Sequence, residues 1–351
     1  MRRLYLFLAL IIAAVALSAQ PQGYYNGTEG LTGNALKLAL HNIIKNDDHV
    51  SYNGMWGAYY QTDRRPGTNY LWDIYSDVPG GEPPYLYILG TDQCGQYSGE
   101  GDCYNREHLW AQSWTNNDDT EKTDLHQVFP TDGYVNNRRG NYAFGEVRNA
   151  TWVSRNGGKL GPCSTPGFTG TVFEPIDEYK GDIARALMYV SVRFYQEDSQ
   201  WDNSDMTTKS VIKDWAMTML IRWHREDPVS EKEINRNNAV YGKQGNRNPF
   251  VDNMDFAEMI WVPGWTSVEE NQYTALVDVW PNPATSTVNI KGENLNAVYM
   301  YNAMGQLVLQ IDMQGVDNQS SIDISAFDSG IYFMNVIAEN GHSVLKKVVV
   351  Q

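Results

Sequence analysis

The sequence predicts an α+β domain followed by a small all-β sandwich, and three observations support this fold class. Between about residues 34 and 244, apolar residues recur at helical spacing in segments separated by polar loops rich in Gly, Asn and Asp. After about residue 274, the pattern changes to short apolar strands with a turn between each pair. The length of 351 residues favours two domains over one or three.

The helical signals of the first domain, residues 20–272, are local and specific. Leu36, Leu40 and Ile44 share one helical face, and Asn34 is the predicted N-cap. Three further helices are predicted from apolar periodicity at 183–194, from apolar periodicity at 211–223, and from a capping box of Ser230 and Glu233. Few alternating strands occur in this domain, so we expect much irregular structure around the helices.

The N-terminus has the pattern of a targeting segment. Arg2 and Arg3 precede an apolar run at 4–17, and small residues follow at 18–19. This pattern predicts a secretory signal peptide over 1–19, with an uncleaved anchor helix as the alternative. No later run is apolar enough to span a membrane. We therefore expect an exported protein, secreted or at the cell surface, without a membrane span in its mature form.

The composition limits the classes of function. The chain has 27 Lys and Arg against 42 Asp and Glu, a net charge of −15, and 42% of its residues are hydrophobic. This content of apolar residues excludes a disordered chain. The acidic balance argues against adhesion to nucleic acid or anionic membranes through bulk charge, but it does not exclude a local binding site for either. Residues 104–159 have no net charge, because seven basic residues balance seven acidic ones there.

The three cysteines permit one short disulfide. An oxidising compartment would allow Cys94 and Cys103 to close the glycine-rich loop between them, which leaves Cys163 unpaired. Zinc binding is disfavoured because neither a CxxC pair nor a nearby histidine completes four ligands.

The densest group of chemically capable residues lies between 104 and 146, and it suits phosphodiester hydrolysis. His108 could take a proton from water near neutral pH. Glu107 and Asn136 offer the oxygen ligands that Mg²⁺ prefers, and Arg139 could grip a phosphate. Because neighbouring side chains on a regular strand point to opposite faces, Glu107 and His108 can share a site only at a strand end or bulge.

Other polar residues nearby are weaker candidates for contact with substrate or for support of the site. They are Arg106, Asp124, His126, Arg138 and Asn141. Asp124 and His126 fit a supporting or structural pair better than metal ligands. Arg138 fits a solvated charge or an exposed phosphate contact. Asp182 and Arg185, one helical turn apart, predict a structural ion pair.

Several of these stretches together resemble the endonuclease I family of secreted or periplasmic bacterial nucleases, which have a His-Me finger (ββα-metal) fold. The stretches are Asn-Arg-Glu-His at 105–108, Asp-Leu-His at 124–126, and residues 130–142, with further matches at 181–185 and 246–250. The resemblance covers about 100–255. One departure is Leu-Trp-Ala at 109–111, where family members often have a proline soon after the histidine.

The resemblance implies a role for each main residue. His108 corresponds to the general base, and Glu107 binds the metal together with the asparagine six residues after Pro130, which is Asn136. Asn141 is the second choice for that ligand. Arg139 lies in the matching Asn-x-x-Arg-x-Asn stretch and is expected to contact phosphate. The implied cofactor is Mg²⁺ or another divalent cation such as Mn²⁺ or Ca²⁺, and the implied products carry a 5′-phosphate.

The C-terminal part, residues 273–351, resembles a different family. Pro-Asn-Pro at 281–283, Ser-Gly-Ile-Tyr at 329–332 and the terminal Lys-Lys-Val-Val-Val at 346–350 are similar to the sorting domains of type IX secretion in Bacteroidetes. The resemblance implies that the type IX machinery carries the protein across the outer membrane and that this domain is then lost. A carbohydrate-binding sandwich is the alternative.

Together the patterns predict a secreted, metal-dependent endonuclease that hydrolyses DNA with little sequence preference, and RNA is left open as a second substrate. One alternative is a non-catalytic secreted adhesin or carbohydrate-binding protein that keeps a degenerate nuclease fold. A different metal-dependent hydrolase is disfavoured because the sequence has no HExxH motif or cluster of Asp and His for two metals.

Overall fold

The computed structural model describes residues 20–262, 277–292, 295–302, 306–313, 319–338 and 343–351. The chain divides into two compact units, residues 1–265 and 266–351, called here the first and second unit. The expected signal peptide at 1–19 and the expected domain boundary at 272/273 lie outside the described residues. Within the described ranges, none of the helices combines the length and the apolar character needed to cross a membrane.

The first unit contains eight α-helices in its described residues. They are α1 (Gly33–Ile44), α2 (Met55–Thr62), α3 (Gly133–Arg139), α4 (Lys180–Arg193), α5 (Asp214–Glu226), α6 (Glu231–Gln244), α7 (Pro249–Asp252) and α8 (Asp255–Trp261). Helix α4 lies at the centre and is buried on all sides, because it packs against α1, α5 and α7. This arrangement explains why its residues do not divide into an apolar and a polar face.

Most of the predicted helices are confirmed, with two corrections at their starts. The capping box of Ser230 and Glu233 opens α6. The N-cap of α1 is Thr32 rather than Asn34, because the chain enters the helix through Gly33, whose φ of 56° needs a residue that tolerates the left-handed region. Helix α5 begins at Asp214, since Val211 and Ile212 belong to a short strand instead.

The strands of the first unit are short and form small sheets. They are β1 (Tyr104–His108), β2 (Val128–Asp132), β3 (Ala143–Phe144), β4 (Trp152–Val153), β5 (Lys159–Pro162), β6 (Thr171–Glu174), β7 (Thr207–Thr208) and β8 (Val211–Ile212). The sheets have the orders β1-β2, β3-β6-β5-β4 and β7-β8. Mixed α and β content with long loops is confirmed.

Strands β1 and β2 and helix α3 form a ββα unit. The two strands are antiparallel with a regular register from Tyr104 opposite Asp132 to His108 opposite Val128. Helix α3 follows β2 directly and packs against both strands. No bulge interrupts this register, so His108 leaves the ladder as the last residue of β1. A disulfide between Cys94 and Cys103 closes the loop before β1, and Cys163 is free and buried.

The second unit is built from strands, as expected. They are β9 (Asp278–Trp280), β10 (Thr287–Lys291), β11 (Leu295–Asn302), β12 (Leu307–Asp312), β13 (Gln319–Asp323), β14 (Gly330–Ala338) and β15 (Ser343–Val350). They form two sheets of order β13-β10-β9 and β12-β11-β14-β15. Both sheets contribute to one apolar core, in which alternate residues such as Val288 and Ile290, or Met334 and Val336, point inward.

Candidate active site

The ββα unit brings most of the predicted site residues to one cavity of about 240 Å³. Its wall includes the end of β1, the residues that follow β1, and one side of α3. Six of the nine predicted site residues line it: Arg106, Glu107, His108, Asn136, Arg139 and Asn141. Asp124, His126 and Arg138 do not.

A buried carboxylate fixes the junction between β2 and α3. Oδ1 of Asp132 accepts a hydrogen bond from the backbone N–H of Val135 (2.7 Å), which caps the first turn of α3. Oδ2 of Asp132 accepts from the Tyr87 hydroxyl and from the Gly101 N–H. Since Gly101 lies in the loop between Cys94 and Cys103, the capping residue also anchors the loop that the disulfide closes.

His108 is held as a neutral imidazole. Its Nε2 lies 3.0 Å from the carbonyl oxygen of Lys122, an acceptor that requires the proton on Nε2 and leaves the lone pair on Nδ1. Burial lowers the pKa of His108 to about 4, and the charges of Arg106 and Arg139 act in the same direction. At neutral pH, Nδ1 therefore carries a lone pair, and the amide group of Gln112 is the donor that faces it in this structure.

Gln112 lies against this imidazole. Its Nε2 is 3.1 Å from Nδ1 and 3.2 Å from Nε2 of His108, and the side chain also lines the cavity. Sequence reasoning did not single out Gln112, although its position four residues after His108 places it in the first turn beyond β1.

Glu107 is buried, with 1% of its surface exposed. Its Oε1 accepts a hydrogen bond from the Tyr75 hydroxyl (2.9 Å) and lies 3.1 Å from Nη1 of Arg139. Burial raises the pKa of Glu107 to about 7, against the opposing effects of Arg139 and Tyr75. Because Oε1 makes both contacts, Oε2 is the oxygen that could face a cation in the cavity. Tyr75 is a second residue that the sequence did not indicate.

Asn136 is oriented by its own amide group. Nδ2 donates to Oδ1 of Asn105 (2.7 Å) and to the carbonyl oxygen of Arg106 (3.1 Å). These two bonds use both amide hydrogens, which leaves Oδ1 as the free ligand atom. Carboxylate and amide oxygens are the donors that suit Mg²⁺, which keeps several waters and needs few protein ligands. Across the described ranges, no group of three or more His, Cys, Asp and Glu side chains could hold a metal.

Arg139 lines the cavity, but its guanidinium has protein partners. Nη1 donates to the carbonyl oxygen of His108 (2.7 Å), Nη2 donates to that of Leu109, and the ion pair with Glu107 occupies Nη1 as well. The side chain is 1% exposed. These contacts tie α3 to the end of β1. The phosphate contact expected for Arg139 stays a prediction.

Asp124 and His126 lie away from the cavity in a buried network. Asp124 accepts hydrogen bonds from the His126 N–H (2.9 Å), the Tyr189 hydroxyl (2.7 Å) and Nε2 of Gln244 (3.0 Å). Nε2 of His126 is 3.1 Å from the Asn246 carbonyl oxygen. The pair thus ties the segment before β2 to α4 and α6, which fits the structural role rather than metal binding.

The two remaining candidates lie at the surface. Arg138 is exposed and donates to the hydroxyl of Tyr134, one helical turn earlier (3.0 Å). Asn141 lies at the rim of the cavity, where its Nδ2 is 3.4 Å from Oγ of Ser113. The predicted ion pair of Asp182 with Arg185 is present at 3.8 Å, although Glu233 is the closer partner of Arg185.

Comparison with known proteins gives the family. Residues 32–255 match Endonuclease I, and residues 278–351 match the secretion system C-terminal sorting domain. Extracellular ribonucleases are similar to this chain at 35% identity in Bacillus amyloliquefaciens (71% of this chain, 81% of the relative) and at 33% in Bacillus subtilis (72% and 82%). Endonuclease-1 of Buchnera aphidicola subsp. Baizongia pistaciae is 28% identical, covering 37% of this chain and 46% of that protein.

These matches confirm both predicted resemblances. The type IX sorting domain and the extracellular relatives place the protein outside the cell or at its surface. The match to Endonuclease I covers more than half of the chain and includes the whole ββα unit. The chain therefore belongs to the endonuclease I family of nucleases.

Proposed function

We propose that the protein is a metal-dependent endonuclease that hydrolyses phosphodiester bonds through a His-Me finger formed by β1, β2 and α3. The observation that carries this proposal is the state of His108. A neutral imidazole with its proton fixed on Nε2 by the Lys122 carbonyl opens onto the same cavity as Glu107 and Asn136. This arrangement is suited to general base catalysis beside a cation.

His108 would accept the proton of an attacking water at Nδ1. Proton transfer to a positioned base contributes about 10²–10⁴-fold to rate. As Nδ1 takes the proton, the imidazole becomes positively charged, and the Lys122 carbonyl oxygen that holds Nε2 stabilises this charge. The hydroxide so formed would attack phosphorus in line with the departing 3′-oxygen. The bond from phosphorus to that oxygen would break, the 3′-oxygen would take a proton from solvent water, and the phosphate would stay on the 5′ side.

Glu107 and Asn136 would hold the divalent cation, for which we propose Mg²⁺, with Mn²⁺ or Ca²⁺ as alternatives. Bound there, the cation would supply charge stabilisation at the phosphate and the departing oxygen. The pairing of Glu107 with Arg139 and Tyr75 through Oε1 keeps the carboxylate oriented, so that Oε2 can face the cavity. Hydrogen bonds to a metal-binding side chain orient it in many metal sites.

The proposed substrate is DNA, and RNA is the second substrate because two of the similar proteins are extracellular ribonucleases. Contacts to phosphate carry no base identity, so we propose cleavage with little sequence preference. Residues 20–272 would contain this activity, and residues 273–351 would serve export through the type IX secretion machinery.

The test is His108→Ala in the full chain, with plasmid DNA and a structured RNA as substrates. We expect turnover of both to fall by two or more orders of magnitude, because the base is lost, and we expect EDTA to abolish wild-type cleavage. The matched control is His49→Ala, which removes an imidazole with 42% of its side chain exposed. Cleavage by His108→Ala at the wild-type rate, with the fold intact by circular dichroism, would refute the proposal.

A further inference from the structure

Two arginines line the cavity, and only one of them has its charge free. Arg139 is 1% exposed, its ion pair with Glu107 neutralises its charge, and its two terminal nitrogens donate to backbone carbonyls. Arg106 is half-buried. Arg106 takes part in none of the ion pairs within 4.0 Å in the described part of the chain. A polyanion that enters the cavity therefore meets one uncompensated guanidinium.

Two aromatic rings hold this guanidinium. The central carbon of the Arg106 guanidinium lies 3.4 Å from the centre of the Tyr52 ring and 4.4 Å from that of the Trp56 ring. Nη1 also donates to the Tyr52 carbonyl oxygen. Contact with aromatic faces is favourable for arginine and leaves its N–H groups available at the edge. The Tyr52–Trp56 clamp thus fixes the position of the guanidinium without neutralising its charge.

The clamp is itself supported and adjoins the general base. Trp56, in the first turn of α2, contacts the rings of Tyr59 and Tyr104 edge-on, with centroids 5.9 Å and 5.7 Å away. The Tyr52 ring is nearly parallel to the His108 ring at a centroid distance of 6.2 Å. Arg106 and His108 are also two residues apart on β1, so their side chains leave the strand on the same side.

We propose that Arg106 binds the scissile phosphate and that Tyr52 and Trp56 position it for this contact. The inference rests on the proposed function, because it assigns the phosphate contact of that site. One N–H of the guanidinium is used by Tyr52, which leaves the remaining donors for two parallel hydrogen bonds to phosphate oxygens. Lysine cannot reproduce that planar geometry.

The experiment compares Arg106→Ala and Arg106→Lys in the full chain over a series of salt concentrations. We expect Arg106→Ala to lower kcat/KM by roughly 10²-fold and to reduce the slope of log kcat/KM against log salt by about 1, because one phosphate contact is lost. Arg106→Lys keeps the charge, so it should retain the wild-type salt slope while it recovers only part of kcat/KM.

The matched control is Arg155→Ala. Arg155 is an exposed arginine that also lies over an aromatic ring, 5.7 Å from the centre of Tyr85, and it does not line the cavity. We expect Arg155→Ala to keep the wild-type slope of log kcat/KM against log salt, and its kcat/KM to stay within about 3-fold of the wild-type value. Tyr52→Leu leaves the charge of Arg106 in place, so it should raise KM more than it lowers kcat and should keep the wild-type salt slope.

The outcomes separate this inference from the proposed function. If His108→Ala is inactive while Arg106→Ala keeps both the wild-type salt slope and a kcat/KM within about 3-fold, Arg106 does not bind the phosphate and the inference is wrong. Rescue of Arg106→Ala by added millimolar guanidinium would support it, since a structural defect would not respond. Thermal unfolding midpoints of all variants show whether a loss of activity reflects the site or the fold.

Discussion

The two units of the chain differ in what they bury. In the described residues, all buried polar and charged side chains lie between Thr28 and Glu258 in the first unit, and the buried side chains of the second unit are apolar apart from the hydroxyl of Tyr332. The second unit has strands of up to nine residues, whose ladders pair the backbone groups. The first unit has short strands and long loops, so side chains must satisfy many of its buried backbone groups.

The buried polar and charged side chains of the first unit hold the candidate active site in place. The buried charges of the first unit connect distant segments, as Arg139 connects α3 to β1 and Asp132 connects α3 to the disulfide loop. A site built on one short strand and one short helix needs such contacts, because a buried carboxylate or guanidinium keeps its geometry only when its partners are in place. The second unit has a simple alternation of inward and outward residues along its strands.

The largest expected effect is on Glu107. Glu107→Gln keeps the shape of the side chain and its hydrogen bond from Tyr75 but removes the charge that would hold the cation. We expect kcat/KM to fall by about three orders of magnitude, since a catalytic metal contributes several kcal/mol, while the melting transition of the second unit is unchanged. The control is Glu82→Gln, an exposed carboxylate. Full activity of Glu107→Gln would remove this residue from the metal site.

The second prediction concerns the stability of the first unit. Arg185 is fully buried and donates to Oε2 of Glu233 (2.8 Å) and to the Asp227 carbonyl oxygen (2.8 Å). Arg185→Met leaves the Glu233 carboxylate buried without its partner, a change that costs roughly 3–5 kcal/mol. Calorimetry should show the loss in the transition of the first unit alone.

The variant of the second unit that corresponds to Arg185→Met is Met334→Ala, which truncates a fully buried apolar side chain. It should destabilise that unit by roughly 2–5 kcal/mol and leave nuclease turnover unchanged. If Arg185→Met instead left the first unit as stable as the wild type, the buried charges would not be what holds this unit together, and the comparison between the units would lose its basis.

The part of the site that the sequence predicted is the part encoded by nearby residues. Glu107, His108 and Asn136 belong to a short ββα unit, so a motif and a spacing were sufficient to group them, and the structure places them on one cavity. The strand end that the adjacent pair requires also follows from local geometry, because β1 ends at His108. The capping box at Ser230 and Glu233 is local in the same sense.

What the sequence could not show depends on contacts between distant segments. The clamp on Arg106 comes from residues some fifty positions earlier, and the partners of Asp124 and His126 come from α4 and from the end of α6. The ion pair of Arg139 with Glu107 likewise appears only when α3 packs on β1. No spacing rule relates such residues, so the sequence could not show that the Arg139 guanidinium is paired with Glu107 while that of Arg106 lies between two aromatic rings.

The smallest predicted effect tests the buried histidines of the first unit through pH. Burial lowers the pKa of His224 to about 4, and the charges of Arg185 and Arg225 add to this effect. In the unfolded chain the pKa is about 6.5. Folding therefore favours the neutral ring, and the stability that His224 contributes is complete above pH 6.5 and is lost as the pH falls towards 4.

His224→Gln has no group that titrates in this range, and it can still donate to the Met254 carbonyl oxygen, which His224 Nε2 approaches at 2.9 Å. The free energy of unfolding of the wild type minus that of His224→Gln should thus decrease by up to about 3 kcal/mol between pH 6.5 and 4. Urea unfolding at each pH measures this difference, and the transition of the second unit in the same samples is the internal control. A difference that stays constant over this range would mean that the His224 ring has the same pKa in the folded and the unfolded protein, so that burial does not keep it neutral.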